Sequence, residues 1–226
     1  MKIHVLPSGP IQTNGYLLTE PETGEAVLVD APGGIMEKIR PRLAAEGCKL
    51  TELWLTHGHW DHMQDGALVK RETGARVVAH RADQPLIETP EIMEGFMCQK
   101  MGLEGVKVDA WAEQGGKLSA LGREFEVREV PGHCPGNVLF YCAAAKAPAA
   151  AEASARQGFA FVGDALFAGG VGRWDLPGGD FEMLAKSIRG QIYTLPDDTI
   201  VFPGHGSRTT VADEKAGNPY VAEVAR

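Results

Sequence analysis

The stretch Thr56-His57-Gly58-His59-Trp60-Asp61-His62 decides how this chain is interpreted. It places three of the chain's seven histidines, together with one aspartate, in six consecutive positions. Imidazole is the commonest ligand of divalent transition metals, and a carboxylate beside it adds the charge that holds the ion. The segment therefore predicts a metal site rather than a polar loop of hydrogen-bonded histidines.

Six residues cannot place all four of these side chains on one ion without strain, so a second ion or ligands from elsewhere in the chain are expected. Three later segments supply them: Pro131-Gly132-His133, Val162-Gly163-Asp164 and Pro203-Gly204-His205. Each places a ligand type directly after a glycine at the end of an apolar run, where the backbone can turn and present the side chain.

Short apolar runs separated by Gly, Pro and polar residues predict strands, and a period near four predicts helices. The predicted strands are Ile3–Leu6, Tyr16–Thr19, Ala26–Asp30, Leu53–Thr56, Arg76–His80, Phe125–Val130, Val138–Cys142, Phe159–Val162 and Ile200–Phe202. The predicted helices begin near Ile35, Asp65, Pro85, Glu91 and Phe181, and the last of them runs to about Tyr193. A meander followed by alternating strands and helices is typical of a layered α/β domain with its active residues on strand-end loops.

Length and composition favour one domain over residues 1–226, with an exposed, flexible Ala-rich insertion at about 143–156. A formal charge of −8 argues against nucleic-acid or anionic-membrane partners, and no apolar run is long enough to span a bilayer. The expected partner is a small molecule.

The first residues, Met1–Leu6, lack the apolar stretch of a secretory signal, so a cytoplasmic location is expected. The four cysteines form no CxxC pair, and we expect no structural disulfide.

The motif at His57–His62, the distant His133, the Gly-Asp-Ala-Leu-Phe run at Asp164 and the Pro-Gly-His at His205 resemble the metallo-β-lactamase superfamily. Within it, the chain is similar to the short bacterial type of glyoxalase II, the hydroxyacylglutathione hydrolases. The resemblance implies an αββα four-layer sandwich with the metal site on strand-end loops.

The resemblance also implies two divalent metal ions. One is held by His57, His59 and His133, the other by Asp61, His62 and His205, and Asp164 bridges both. Zinc is the expected metal, with iron or manganese as alternatives, because imidazole and carboxylate accept all three. An aspartate at 164, where some zinc β-lactamases have cysteine, argues against antibiotic hydrolysis as the main activity.

The reaction that the resemblance implies is hydrolysis of a small acyl thioester by a hydroxide bridging two metals. Asp61 is the expected catalytic residue, because its carboxylate can orient that hydroxide. Arg173 aligns with a basic residue that binds the substrate's carboxylate, but an ion pair with Asp175 is an equally open interpretation.

Three further residues have ordinary structural interpretations. Cys134, beside His133, is interpreted as a small buried filler rather than a soft ligand or a partner of a ligand. His4 and His80 match no ligand position and are interpreted as strand-edge residues.

Other functions stay open at this stage. A persulfide dioxygenase of the same superfamily uses one iron held by two histidines and an aspartate. A lactonase shares the full ligand set, and a metal-binding scaffold without catalysis is the alternative of another class. Whether glutathione is the carrier is also open, since the chain resembles the shorter bacterial type of glyoxalase II, in which glutathione specificity is not implied.

Overall fold

The computed structural model describes residues 1–97, 102–144 and 157–222. The chain divides into two compact units, Met1–Ala112 with Ser119–Gly122, and Glu113–Leu118 with Arg123–Arg226. Most of the predicted Ala-rich insertion, residues 145–156, lies outside the described residues.

The first unit is built on a six-stranded mixed sheet with strand order β1 to β6. Its strands are β1 Lys2–Ser8, β2 Thr13–Glu20, β3 Glu25–Val29, β4 Lys49–Trp54, β5 Arg76–Ala79 and β6 Ala110–Trp111. The first three form an antiparallel meander, and the pairs from β3 to β6 are parallel. The carboxyl ends of the parallel strands therefore share one edge of the sheet.

Helices connect the parallel strands of this unit. They are α1 Ile35–Glu46, α2 Trp60–Met63, α3 Gly66–Thr73, α4 Gln84–Glu88 and α5 Glu91–Met97, with a 3-10 turn at Arg81–Asp83. Gly47 ends α1 in the left-handed conformation, with φ 66°, as its position after an apolar period of four predicts. The helix continues through Pro41. The helix predicted over Glu91–Lys100 is described over Glu91–Met97, and residues 98–100 lie outside the described part.

A second six-stranded sheet is ordered β14-β13-β10-β9-β8-β7, and all of it except Ser119 and Ala120 of β7 belongs to the second unit. Its strands are β7 Lys117–Ala120, β8 Arg123–Glu129, β9 Val138–Cys142, β10 Phe159–Gly163, β13 Ile200–Pro203 and β14 Thr209–Thr210, and a separate hairpin pairs β11 Leu166–Phe167 with β12 Gly170–Val171. The central strands β9 and β10 are buried along their whole length. Because β10 and β13 are parallel neighbours, their carboxyl ends lie side by side.

The helices of the second unit are α6 Phe181–Ser187 and α7 Val211–Gly217. The single helix predicted from Phe181 to Tyr193 changes to a π-helical turn over Ile188–Ile192. There the Tyr193 amide bonds to the Ile188 carbonyl, five residues back, instead of four.

The mixed composition of both units confirms the predicted α/β class. The main strands and helices lie close to their predicted positions. The short strands β6, β7, β11, β12 and β14, and the helices α2 and α7, were not predicted. Segments of two to four residues are too short to show a period, which explains the missed strands and α2.

Two general expectations can be compared with the described residues. No helix among them is both long and apolar enough to cross a bilayer. Within the same residues, Cys48, Cys134 and Cys142 are not in disulfides.

Candidate metal centre

The first half-site consists of His57, His59, Asp61 and His62, which follow β4 at the carboxyl edge of the parallel strands. All four side chains are buried. The His57 ring centroid lies 4.8 Å from that of His59 and 4.0 Å from that of His62. Asp61 and His62 lie within the single turn of α2, a short helix where a loop was predicted. The structure thus brings these four predicted ligands of the first unit together.

The glycine between the first two histidines has a steric cause. A Cβ at Gly58 would lie 2.8 Å from the Leu86 Cβ and 3.0 Å from the Asp83 Cβ. The Gly58 amide donates a hydrogen bond of 2.8 Å to Oδ2 of Asp83, which is also buried. The backbone between His57 and His59 is therefore held against the segment that begins α4.

Asp30, directly after β3, organises two of these ligands, and sequence reasoning missed it. Its Oδ2 accepts hydrogen bonds from Nδ1 of His62 at 2.7 Å and from the Thr56 hydroxyl at 2.8 Å. Its Oδ1 accepts the Thr56 amide at 2.8 Å. Asp30 has a left-handed backbone, with φ 60°, a conformation that aspartate tolerates better than most residues.

A hydrogen-bond chain from Asp30 also reaches His57. The Thr56 hydroxyl has one hydrogen, and it donates this hydrogen bond to Asp30. Towards His57 Nδ1, which lies 3.1 Å away, the hydroxyl oxygen can therefore only accept a hydrogen bond. Both His57 and His62 therefore hold a proton on Nδ1 and present Nε2 as the ligand atom. Such bonds fix the tautomer and the ring orientation of a metal-binding histidine.

The second half-site consists of His133, Asp164 and His205, each in a segment that follows a strand of the second sheet. Gly163 pairs with Pro203 in the β10–β13 register, and the Gly204 amide bonds to the Gly163 carbonyl at 2.8 Å. Nε2 of His205 lies 3.4 Å from Oδ2 of Asp164, and Nε2 of His133 lies 3.8 Å from the same oxygen. The structure brings together all three predicted ligands of this unit.

The loop at Gly172 fixes the tautomer of His133. Nδ1 of His133 donates to the Arg173 carbonyl at 2.7 Å. A Cβ at Gly172 would lie 1.8 Å from the Asp164 carbonyl oxygen and 3.0 Å from Nδ1 of His133. Only glycine lets this loop approach both ligands so closely.

The donor atoms fit divalent transition metals. Ligand atoms about 2.1 Å from one ion, separated by the tetrahedral angle, lie about 3.4 Å apart. Oδ2 of Asp61 lies 3.3 Å from Nε2 of His62 in the first half-site, and the Asp164–His205 distance in the second is 3.4 Å. Each half-site therefore contains a carboxylate and an imidazole at a spacing suited to one shared ion.

The side chain of Arg173 is paired with Asp175. Its Nε and one terminal nitrogen donate to the two carboxylate oxygens at 2.7 and 2.8 Å, and both side chains are exposed. The hydrogen bond and charge of Arg173 lower the pKa of Asp175 to about 2. The structure thus contains the ion pair that was the alternative to a substrate clamp.

The two remaining histidines have structural contacts. Nε2 of His4 lies 3.1 Å from the Glu46 carboxylate, and Nδ1 of His80 accepts the Ala82 amide at the start of the 3-10 turn. Cys134 is fully buried beside His133. Its interpretation as a filler stays a prediction.

Comparison with known proteins identifies the family. The sequence profile of the metallo-beta-lactamase superfamily matches residues 8–147 and 151–205. The chain belongs to the metallo-β-lactamase superfamily. This membership confirms the fold that the motif predicted and indicates a metal-dependent hydrolase.

Three proteins are similar to this chain over nearly its full length. Hydroxyacylglutathione hydrolase GloC of Haemophilus influenzae is 35% identical, with 98% of each chain covered. The crystal structure of the BLEG-1 B3 metallo-beta-lactamase has a TM-score of 0.82 at 32% identity, covering 97% of this chain and 99% of that one. TTHA1623, solved in a di-iron-bound form, has a TM-score of 0.76 at 33% identity, covering 96% and 99%.

Proposed function

We propose that this chain hydrolyses a small acyl thioester of the hydroxyacylglutathione type. The observation that carries the proposal is that all seven ligand positions hold His or Asp, with the ring tautomers of His57, His62 and His133 fixed for binding through Nε2. The 35% identity to a hydroxyacylglutathione hydrolase supports the substrate class.

We further propose that the two half-sites together hold two divalent ions. On this proposal His57, His59 and His133 would hold one ion and Asp61, His62 and His205 the other, and Asp164 would bridge them. Zinc is the proposed metal, and the same donors accept iron or manganese. The di-iron form of TTHA1623 makes iron the main alternative.

When bound, such a pair of ions would lower the pKa of a bound water so that it is deprotonated near neutral pH. The ions would also polarise the carbonyl under attack. The residues of the chain contribute orientation. Asp61 is proposed to accept a hydrogen bond from the attacking water and align it with the carbonyl carbon. Asp30 and the Arg173 carbonyl keep the imidazole rings in place through the reaction.

Arg173 is proposed to contact an acidic group of the substrate. Its guanidinium is exposed and presents a planar set of donors that suits a carboxylate. Because Asp175 occupies two of these donors, a substrate carboxylate must either displace Asp175 or use the remaining N–H groups.

Two broader statements accompany the proposal. The chain is proposed to act as one domain over residues 1–226, on a small molecule rather than a nucleic acid, as its net charge of −8 favours. A cytoplasmic location is also proposed. It is consistent with the reduced state of Cys48, Cys134 and Cys142, because thiols stay reduced in that compartment.

The test measures thioester cleavage by the metal-loaded protein in air and under strict anaerobiosis. Hydrolysis needs only water, so we expect equal rates, one free thiol per acid formed, and close to two ions per chain. Asp164→Ala should lose at least one ion and nearly all turnover, because two cations then repel each other without a bridging charge.

Two other outcomes would point to other activities. Oxygen uptake matched to sulfite formation, with one iron per chain and negligible thioester turnover, would replace the hydrolase by a persulfide dioxygenase. Faster turnover of a β-lactam than of any thioester would favour the activity named for BLEG-1.

A further inference from the structure

Thr13 makes a contact with the candidate centre that the proposed ligand set does not include. It is the first residue of β2, and its side chain is fully buried. Its hydroxyl donates a hydrogen bond of 2.6 Å to Oδ2 of Asp61, 48 positions later in the sequence. A length of about 2.5–2.7 Å is typical of a hydroxyl bound to an ionised carboxylate.

The turn between β1 and β2 and the pairing of the two strands fix the backbone at Thr13. Gly9 and Gln12 both have left-handed φ angles, of 72° and 57°, and Thr13 pairs directly with Ser8 across the hairpin. The Ser8 hydroxyl in turn donates to the Gly33 carbonyl at 2.7 Å. Since β-branched threonine has few side-chain rotamers, its hydroxyl has little freedom to leave Asp61.

The hydrogen bond restricts the oxygen of Asp61 that faces another ligand. The same Oδ2 lies 3.3 Å from Nε2 of His62, a spacing suited to one shared ion. Rotation of the carboxylate would break the bond to Thr13 and leave a buried charge with fewer donors, which is costly. The bond therefore holds the carboxylate in the orientation that binding requires.

We propose that Thr13 is a positioning residue that orients Asp61 for one of the two metal ions. The inference rests on the metal centre of the proposed function and deepens it. Thr13 touches neither substrate nor reacting atoms, and it acts through Asp61 alone. Removal of its hydroxyl should lower the affinity for the ion bound by Asp61 and leave the affinity for the ion bound by His57 and His59 unchanged.

The chain offers a matched control on the same strand. Thr19, near the other end of β2, is also fully buried and also donates its hydroxyl to a carboxylate, that of Glu46. Glu46 is not among the proposed ligands. Thr13→Val and Thr19→Val thus remove the same kind of hydrogen bond from one strand, but only the first removes it from the centre.

The experiment titrates metal-free protein with Zn²⁺ in competition with a chromogenic chelator and resolves the affinities of both ions. Removing a group that orients a metal ligand typically costs about 10–100-fold in affinity, so we expect Thr13→Val to lose that much for one ion only. Thr13→Ser, which keeps the hydroxyl, and Thr19→Val should bind both ions as the wild type does. The loss should appear in kcat more than in KM.

Several results would overturn the inference. These are unchanged affinity for both ions in Thr13→Val, an equal loss in Thr13→Ser, or an equal loss in Thr19→Val. If Thr13→Val does not fold, Thr13→Ala removes the hydroxyl without adding bulk and must show the same single-ion loss. Wild type binding fewer than two ions would also refute it.

The inference and the proposed function can fail separately. A single-ion loss in Thr13→Val, with no thioester turnover by the wild type, would reject the substrate and keep the role of Thr13. Thioester turnover by the wild type, with Thr13→Val indistinguishable from it, would do the reverse.

Discussion

Asp30 accepts a hydrogen bond from each of two side chains, His62 and Thr56, through a single carboxylate oxygen. Its other carboxylate oxygen accepts the Thr56 backbone amide. Because Thr56 passes the constraint on to His57, one residue sets the tautomers of two ligands. Asp30 is thus a positioning residue for His62 directly and for His57 through Thr56.

Asp30→Asn keeps the shape of this side chain and tests its charge. If the asparagine amide faces Nδ1 of His62, two donors meet, and the ring must turn or change tautomer. We expect about a 10–100-fold loss of metal affinity and a fall of about 1–3 kcal/mol in the free energy of unfolding. Metal titration and urea unfolding of the metal-free protein measure the two effects.

Asp65→Asn is the control for this change. Asp65 is partly buried and likewise accepts a backbone amide, that of Ile35 at the start of α1, and burial raises its pKa. Its substitution should alter stability without altering metal affinity. Wild-type affinity in Asp30→Asn would contradict the role assigned to Asp30.

Arg173 has two interpretations, a contact with a substrate carboxylate and a structural ion pair with Asp175, and kinetics can distinguish them. We expect Arg173→Met to raise KM for acidic thioesters and to leave neutral thioesters nearly unchanged, since a carboxylate contact contributes uniform binding. Asp175→Asn, which releases the guanidinium, should lower KM for the same acidic substrates. Steady-state kinetics on paired acidic and neutral substrates checks both variants.

The pH range of that assay follows from the pKa of Asp175. Arg173 lowers this pKa to about 2, below the ordinary value, so the ion pair is intact above the ordinary pKa and is lost only as pH falls through about 2. The KM difference should therefore be flat from pH 5 to 9 as far as Asp175 is concerned. Equal damage to both substrate classes would make Arg173 purely structural.

The β11–β12 hairpin and the loop after it explain why position 172, shortly after Asp164 in the sequence, is a glycine. The hairpin is held from α7, where Glu214 accepts the Gly169 amide and the Thr209 hydroxyl. It then passes so close to Asp164 that position 172 has no room for a side chain. A helix that sequence reasoning missed thus supports the loop that orients His133.

Gly172→Ala tests this close approach. A methyl group 1.8 Å from the Asp164 carbonyl must push the strand away from both ligands. Overpacking of this kind costs about 1–3 kcal/mol of stability, or more. We expect weaker metal binding as well, because the Arg173 carbonyl would leave Nδ1 of His133, and calorimetry of the metal-free and metal-loaded protein separates the two effects.

Gly170→Ala, two residues earlier, is the matched control. Its added methyl would meet only ordinary contacts, at 3.8 Å from the nearest atom, and its backbone is not left-handed. It should keep wild-type stability and affinity. If both variants behave alike, the hairpin is tolerant and the steric explanation fails.

For the molecule as a whole, the sequence was informative where residues are chemically distinctive. Histidines at positions 57, 59 and 62 have few uses other than metal binding at that density, and a glycine before His133, Asp164 and His205 indicated a turn at a strand end. These residues carried the resemblance to the family, and the order of apolar runs and helical periods predicted the α/β class. Each unit then placed its predicted ligands together.

What escaped prediction was the support behind the ligands. Asp30 and Thr13 lie 32 and 48 positions from the ligands that they contact, and an aspartate or threonine at a strand end is common. Their roles arise from strand order, which no local pattern encodes. The carbonyl of Arg173 could not be predicted either, because a backbone oxygen leaves no trace in residue identity.

The buried Nδ1–H groups of His62 and His133 also make the centre observable by spectroscopy. Each proton is donated within the fold, to Asp30 and to the Arg173 carbonyl, and both rings are nearly inaccessible to solvent, at 0% and 2% exposure. Exchange with water then requires local opening. Such protons give distinct downfield resonances in ¹⁵N-labelled protein, so the assembly of each half-site can be followed by NMR before any metal or substrate is added.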